Sequence, residues 1–171
     1  MTDINSTLDP APSGDDAHPS ADKDVLEIVE LLFFAYRDFI SDPDKLLSEY
    51  GFGRAHHRVL HFLKRNPGIR VADLLGILKI TKQSLGRVLK QLIEDGFVYQ
   101  TEGHTDRRQR LLHLTDRGSA LSDALAKPQI ARVQAALDQA GPEAQEVLGT
   151  ALFNLIDVGE RSTVRRLVHR D

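Results

Sequence analysis

The segment Val71 to Gly96 decides the fold and reads VADLLGILKITKQSLGRVLKQLIEDG. It predicts two helices whose connection, around Ile80, is too short to hold a strand. Thr81 is a good N-cap for the second helix, and Ile80 and Leu85 are spaced to form a hydrophobic staple across that cap. Apolar residues then recur at helical spacing as far as the stop at Gly96, namely Leu85, Val88, Leu89, Leu92 and Ile93. The segment therefore predicts a helix, a tight turn and a second, well-capped helix.

The flanking sequence adds a helix before this pair and a hairpin after it. Phe52 to Lys64 predicts the helix, and Asn66-Pro67-Gly68 predicts the turn that follows it. Two strand-like runs, Phe97 to Thr101 and Arg110 to Leu114, enclose a polar tip at Glu102 to Gln109. These elements in this order predict a winged helix-turn-helix, in a mainly α chain with a small β-hairpin wing.

Helices are also predicted on both sides of this module. Val25 to Ile40 carries a broad apolar stripe, and Asp42-Pro43 is expected to end that helix because the residue before a proline is driven out of the helical region. Downstream, Thr115 is expected to cap a helix, and Pro128 to begin a new helix or bend this one sharply. Gly141-Pro142 precedes a final amphipathic helix that ends in a basic tail.

Composition bounds the class of protein. The 171 residues, 41% of them apolar, fit one compact domain with helical arms. The absence of cysteine excludes disulfides, thiolate metal sites and thiol switches. No apolar run is long enough to span a bilayer and the N-terminus is acidic, so we expect a cytoplasmic protein with no membrane partner. Without a Gly-rich phosphate loop, a nucleophile elbow or a metalloprotease His-Glu pairing, no enzyme is expected.

Charge is distributed unevenly along the chain. The formal net charge is -3, yet residues 54–110 hold 12 Lys and Arg against 5 Asp and Glu, a local net charge of +7. The remaining residues carry -10. Neutralising phosphates needs a local basic surface rather than a basic whole, so this pattern predicts a DNA-facing module with acidic flanks. The alternative is chance variation among solvated faces.

One face of the second helix has the chemistry to read base edges. At about 100° per residue, Gln83, Arg87 and Lys90 lie opposite the apolar stripe. Glutamine pairs with adenine, arginine with guanine, and lysine with guanine or phosphate. Residues at the start of this helix suit phosphate contacts: Thr81, Lys82 and Ser84. The alternative is an ordinary solvated helix face.

The hairpin tip holds more cations than a solubilising turn requires. They are His104, Arg107, Arg108 and Arg110. Arginine fits a narrow minor groove, so these residues are predicted to contact DNA. As a hypothesis, Asp106 accepts a bidentate bond from Arg108 and holds the loop in shape while another arginine enters the groove.

At this point the chain resembles the MarR family of bacterial regulators. The family's wing pattern is Asp-x-Arg, then a Leu two before Leu-Thr and a Gly three after that Thr. It is found here as Asp106, Arg108, Leu112, Leu114, Thr115 and Gly118. The stretch GRAHHRVL at residues 53–60 resembles the PetP-type branch of the family. Pro128 departs from the family pattern, because it interrupts the long helix that usually joins the wing to the dimer region.

The resemblance implies a homodimer on palindromic double-stranded DNA, with one winged helix on each half-site, and a repressor that a small ligand releases. Independently, the apolar stripes of the first and last helices exceed what one small subunit would hide. The ligand site is expected between the dimer helices and the winged domain and to favour an anionic aromatic compound. Its lining would be Tyr36, Arg37, Ile40, Tyr50, Phe52, His56, His57 and His61.

No cofactor is required by this prediction. His57 and His61 share a helix face and are the candidate ligands for a metal or haem, so a haem- or metal-responsive regulator is one alternative function. A winged-helix scaffold that binds proteins without reading DNA is the other. Operator sequence, regulated genes and effector identity do not follow from these residues.

Four regions are predicted from these assignments. They are a disordered acidic tail over 1–22, an N-terminal dimerisation helix and connection over 23–53, a winged helix-turn-helix DNA-binding domain over 54–118, and C-terminal dimerisation helices over 119–171.

Overall fold

A computed structural model describes residues 19–103, 106 and 108–168 of the chain. Its elements in chain order are α1 (Pro19–Ser48), α2 (Arg54–Arg65), β1 (Ile69–Arg70), α3 (Val71–Leu78), α4 (Lys82–Glu94), β2 (Val98–Glu102), β3 (Arg110–Leu114), α5 (Asp116–Ala140), α6 (Ala144–Asn154) and α7 (Arg161–Val168), with a single 3-10 turn at Val158–Glu160. The predicted fold class, mainly α with a small wing, is confirmed. Within the described part, no helix is long and apolar enough to cross a membrane. The chain divides into an N-terminal unit ending at Asp38 and a second unit beginning at Phe39.

Both ends of α4 are formed as predicted. The hydroxyl oxygen of Thr81 accepts the backbone N–H of Ser84 at 3.1 Å, which caps the helix. At the other end Gly96 adopts a φ of +74°, in the left-handed region that glycine adopts without strain. The N–H of Gly96 then donates to Ile93 O at 3.1 Å, and the N–H of Phe97 to Leu92 O at 2.8 Å. This pair of bonds stops the helix and turns the chain into the wing.

The wing is a three-stranded antiparallel sheet in the order β1-β3-β2. Opposite Leu112 of β3 lie Gln100 of β2 and Ile69 of β1, so the central strand is paired on both sides. The two hairpin strands are confirmed. The first strand, β1, was not predicted, because two residues are too few to show the alternation that identifies a strand.

The core of the second unit lies among α2, α3, α4, the sheet and the first half of α5. It consists of Leu47, Phe52, Val59, Leu60, Leu63, Leu74, Leu78, Leu85, Val88, Leu89, Leu92, Phe97, Val98, Leu112, Leu121 and Leu125, none of which is more than 7% exposed. Four residues of α4 face this core, so the opposite face of the helix is the one exposed to solvent: Leu85, Val88, Leu89 and Leu92.

The first helix is longer at both ends than the sequence predicted. It begins at Pro19, in the segment predicted as tail, because proline fits the first turn of a helix, where its missing N–H loses no bond. Residues 1–18 lie outside the described residues. It also runs through Pro43 to Ser48, so the predicted stop at Asp42-Pro43 is wrong. The proline frees the carbonyl of Phe39, four residues earlier, and the Gln129 side-chain amide donates to that oxygen at 3.3 Å. The interruption is thus repaired from another helix.

The expectation that Pro128 begins a new helix is also wrong, because α5 runs as one helix from Asp116 to Ala140. A proline removes one intrahelical bond, while the alanines, Leu125 and Gln129 around it favour helix.

The end of the chain contains one more helix than expected. The segment predicted as a basic tail forms α7. The guanidinium of Arg161 donates to the carbonyl oxygens of Asn154, at 2.6 Å, and Ile156, at 2.9 Å. A cation at this point satisfies carbonyls that the end of α6 leaves without intrahelical partners.

Candidate nucleic-acid interface

The structure places three predicted base-reading side chains together on the outer face of α4. Gln83, Arg87 and Lys90 are all exposed, while Val88 and Leu89 on the opposite side are buried. Lys90 lies 3.8 Å from the carboxylate of Glu94, one turn further on, in an ion pair whose two side chains are mostly exposed. Such a pair is weak in water, so the ammonium remains available to a phosphate or a base edge. The face presents a row of hydrogen-bonding groups about two helical turns long.

The start of α4 is also exposed, and its three predicted phosphate-binding residues differ in what holds them. The hydroxyl of Thr81 donates to the hydroxyl oxygen of Ser84 at 2.8 Å while accepting the Ser84 N–H. The Thr81 hydroxyl therefore uses its hydrogen bonds to cap the helix. Lys82 and Ser84 are exposed beside it, where the positive end of the helix dipole favours an anion.

The wing tip is shaped by Asp106 through a different bond from the predicted one. The carboxylate of Asp106 accepts the backbone N–H of Arg108 at 2.9 Å, instead of a bidentate bond from the Arg108 guanidinium. Aspartate commonly bonds the backbone two residues on, because its short side chain reaches that N–H without strain. The carbonyl of Asp106 also accepts the N–H of Gln109 at 3.0 Å. Arg110 forms an ion pair with Glu102 across the two strands at 3.3 Å. The other predicted DNA contacts of the wing, His104 and Arg107, lie outside the described residues.

Gly103 allows the wing tip to close tightly. A Cβ atom at this position would lie 2.7 Å from the carbonyl oxygen of Asp106 and 3.2 Å from the Gln109 side chain. The N–H of Gly103 donates to Gln109 O at 3.0 Å, which closes the hairpin. A side chain would therefore force this loop apart.

The motif residues after the wing fasten the start of α5 to the end of α4, a role beyond the predicted cap at Thr115. The Thr115 hydroxyl donates to Gly96 O at 2.8 Å and accepts the N–H of Gly118 at 3.0 Å. A Cβ on Gly118 would overlap the carbonyl oxygen of Phe97 and lie 2.9 Å from its carbonyl carbon. The Arg117 guanidinium stacks 4.2 Å from the Phe97 ring centroid and donates to Asp95 O at 2.8 Å. The spacing of Thr115 and Gly118 thus reflects a backbone contact with the end of α4.

The residues predicted to line a ligand pocket fall in both units. Tyr36 and Arg37 are exposed in the N-terminal unit, where Arg37 pairs with Asp38 at 2.8 Å. In the second unit Phe52 is buried and stacks on His56 at a centroid distance of 4.7 Å. Ile40, Tyr50, His57 and His61 are partly or largely exposed. Two cavities of about 670 and 790 Å³ have other linings, so the ligand pocket stays a prediction.

The histidines of α2 lie in different surroundings. His56 packs between Phe52 and α4, whereas His57 lies near the carboxylate of Asp44 and His61 on the exposed side of the helix. Among the residues described, no group of three or more His, Asp or Glu side chains is arranged to hold a metal ion. A metal ion bound by His57 and His61 would therefore find no third protein ligand in that part of the chain.

Partial burial lowers the pKa of these three histidines, and acid should therefore destabilise the fold. The positive charges of His61 and Arg65 add to the lowering for His57 and His61, respectively. In the unfolded chain each pKa returns to about 6.5, so the unfolded state binds more protons just below that pH. The stabilising contribution is complete above about pH 6.5 and is lost as pH falls through the lower, folded-state pKa values.

Urea unfolding at pH 7.5, 6.5 and 5.5 measures this effect. The free energy of unfolding should fall at each step, and His56→Gln should reduce the slope. A free energy of unfolding that rises on acidification over this range contradicts the assignment.

Comparison with known proteins agrees with this geometry. Residues 50–109 match the model of the MarR family. Over 151 residues the chain is 46% identical to the HTH-type transcriptional regulator PetP of Rhodobacter capsulatus, covering 88% of this chain and 91% of that protein. The predicted resemblance to the PetP-type branch is confirmed.

Solved structures show the same fold at lower identity. Streptococcus pneumoniae FabT in complex with DNA superposes with a TM-score of 0.67 at 21% identity, covering 77% of this chain and 94% of that one. NadR in complex with 4-hydroxyphenylacetate gives a TM-score of 0.64 at 21% identity, covering 87% and 99%. The family match and the PetP relative indicate a regulator, as predicted, and not an enzyme. With its helix-turn-helix, its wing and a relative this similar over nearly its whole length, the chain belongs to the MarR family of transcription regulators.

Proposed function

We propose that this regulator is a homodimeric repressor that binds a palindromic operator and is released by a small ligand. Each chain places α4 in the major groove of one half-site and its wing in the adjacent minor groove. Because operator DNA is the proposed partner, the cytoplasm is the proposed place of action. The single observation that carries the proposal is the exposed row Gln83, Arg87 and Lys90 on a helix whose other face is fixed in the core.

The wing supports the proposal by its charge and by the bonds among the described residues of its tip. Asp106 bonds the backbone of Arg108, Gly103 lies close to Asp106, and the exposed Arg110 begins β3. Arginine inserted into a minor groove interacts with phosphates on both walls. FabT in complex with DNA, which shares this fold, supports the same use of the winged helix here.

Exposed apolar surface supports a homodimer. In α1, every large apolar side chain between residues 25 and 36 is exposed, at 42 to 71%: Val25, Leu26, Ile28, Val29, Leu31, Leu32, Phe33, Phe34 and Tyr36. A helix that is apolar all round belongs inside a protein, and a monomer does not keep so long a patch in water. In α6, Val147, Leu148 and Leu152 are exposed as well. A second copy covers both surfaces in the proposed dimer, and two-fold symmetry matches a palindrome.

Release by a small ligand is the finer part of the proposal. NadR, a structure of the same fold, is in complex with 4-hydroxyphenylacetate, an anionic aromatic compound of the predicted class. A ligand that binds the form with misplaced reading helices shifts the population away from the operator-binding form.

Selection of bound duplexes from a random DNA pool tests the proposal. A palindrome with half-sites about one helical turn apart is expected, and its affinity should fall steeply between 50 and 200 mM salt, by about 10³-fold for several phosphate contacts. Enrichment of no sequence, with and without added haem or zinc, would favour the scaffold function. Enrichment only with haem or zinc would favour the metal-responsive one.

Arg87→Ala should weaken binding to the selected operator by about 1 to 3 kcal/mol and relax the preference at one base pair. The reason is the loss of a bidentate bond to a guanine edge. Fluorescence anisotropy on the operator and on single-base variants measures it. Glu94→Gln is the matched control, because it keeps helix and shape while removing only the partner of Lys90. An equal loss on random DNA would assign Arg87 to a phosphate instead.

A further inference from the structure

His56 contacts two elements at once at the start of α2. The helix begins after Gly53, which has no side chain to cap it. The Nδ1 atom of His56 instead stabilises this end of the helix by accepting the backbone N–H of Gly53 at 3.1 Å. This is one half of a capping box, with an imidazole in place of the usual carboxylate or amide.

The other ring nitrogen of His56 reaches the reading helix. Its Nε2 atom lies 3.0 Å from Oε1 of Gln91 in the third turn of α4. Because Nδ1 accepts a bond, the proton of the neutral ring is on Nε2, which donates to Gln91. The ring is fixed by stacking on Phe52, at an interplanar angle of 6°. Phe52 in turn packs on Phe97, just beyond the end of α4.

Gln91 lies beside the reading face. It follows Arg87 by four residues and Lys90 by one, so it is about 40° round the helix from Arg87. Its side chain is half-buried at the edge between the reading face and the core. A bond to this edge resists rotation of α4 about its own axis, which is the motion that would misalign Gln83 and Arg87 with base edges.

We propose that His56 is a positioning residue for operator reading, whose bond to Gln91 sets the rotation of α4 and whose protonation weakens operator binding. The inference rests on the proposed function of α4 as the reading helix. Protonation places an N–H on Nδ1, opposite the Gly53 N–H, so the cap bond is lost and the ring moves. The groups that face the ring are Gly53, Phe52, Gln91 and the carboxylate of Asp95, and both the bond to Gln91 and the charge of Asp95 favour the protonated form. Burial opposes Asp95 and lowers the pKa of His56, so the ring is neutral at pH 8.

The test is the affinity for the selected operator, by fluorescence anisotropy between pH 8 and pH 5.5, with the folded fraction followed by circular dichroism at each pH. Wild type should lose about fivefold more affinity on acidification than His56→Gln, the size of one hydrogen bond. Glutamine suits the third position of a capping box and both accepts and donates without titrating. His113→Gln, which replaces a titratable ring in the wing, should keep the pH profile of the wild type.

A double-mutant cycle separates positioning from general packing. Gln91→Ala should lower affinity at pH 8 by about fivefold and flatten the pH profile. Adding His56→Ala to it should lower operator affinity little further, because the bond between the two residues is already gone. The loss of the Gly53 cap and of the Phe52 stacking should appear instead in the free energy of unfolding. Additive losses, or a wild-type profile retained in His56→Gln, would overturn the inference while leaving operator reading by α4 intact. Failure of the wild type to bind any operator at pH 8 would instead contradict the proposed function, and the inference with it.

Discussion

Gly118→Ala should lower the free energy of unfolding by about 3 kcal/mol or more, because the added methyl group cannot be accommodated. Its neighbours are backbone atoms of Phe97, held by the bonds that end α4 and begin β2, and they cannot rotate away as a side chain would. Moving the start of α5 outward would also break the Thr115 cap, at a further cost of about 1 kcal/mol.

Urea unfolding followed by circular dichroism measures this loss. Gly76→Ala is the matched control, since nothing lies within 4 Å of a Cβ on that helical glycine. The control should gain about 0.5 to 1 kcal/mol from alanine's helix propensity. If the two variants unfold at the same urea concentration, the close approach of α5 to Phe97 is not as described.

Phe33→Glu should convert the proposed dimer into a monomer and reduce operator affinity by about 10²- to 10⁴-fold, the gain that two linked half-sites provide. Phe33 is 71% exposed in the single chain, so the substitution removes little packing from the subunit. In the dimer the same residue would be covered, and burying a carboxylate without a partner is costly.

Light scattering after size-exclusion chromatography gives the oligomeric state, and anisotropy gives the affinity for operator DNA. Phe33→Leu keeps an apolar side chain and should leave both measurements close to the wild type. A Phe33→Glu protein that remains dimeric would place Phe33 outside the interface. A monomer that retains full operator affinity would contradict the need for two reading helices.

Local signals explain what the sequence predicted well. The start and end of α4 depend on Thr81 and Gly96, each within two residues of a helix end, so neighbouring residues in the sequence are enough to predict them. The exposed row on α4 follows from helical periodicity once the buried stripe is known.

Distant contacts explain what the sequence did not predict. The continuity of α1 through Pro43 depends on Gln129, which is 90 residues away from Phe39. The two residues of β1 become a strand only because β3 lies beside them. The predicted partner of Asp106 was the guanidinium of Arg108, whereas its carboxylate bonds the Arg108 backbone N–H. A short side chain reaches a nearby backbone group more readily than a distant charge. The burial of Phe52 against Phe97 likewise depends on residues distant in the sequence.

Contacts between the start of α5 and the end of α4 hold these two helices together. Three groups at the start of α5 hold the chain between Asp95 and Phe97: the Thr115 hydroxyl, the Arg117 guanidinium and the bare backbone of Gly118. From there α5 continues to Ala140, a rod about 37 Å long at the usual rise per residue. Tilting such a rod by about 5° moves its far end by roughly 3 Å, while α4, held to its near end, is expected to turn through a similar angle. A small displacement near Ala140 should thus change the orientation of α4, the helix proposed to read DNA.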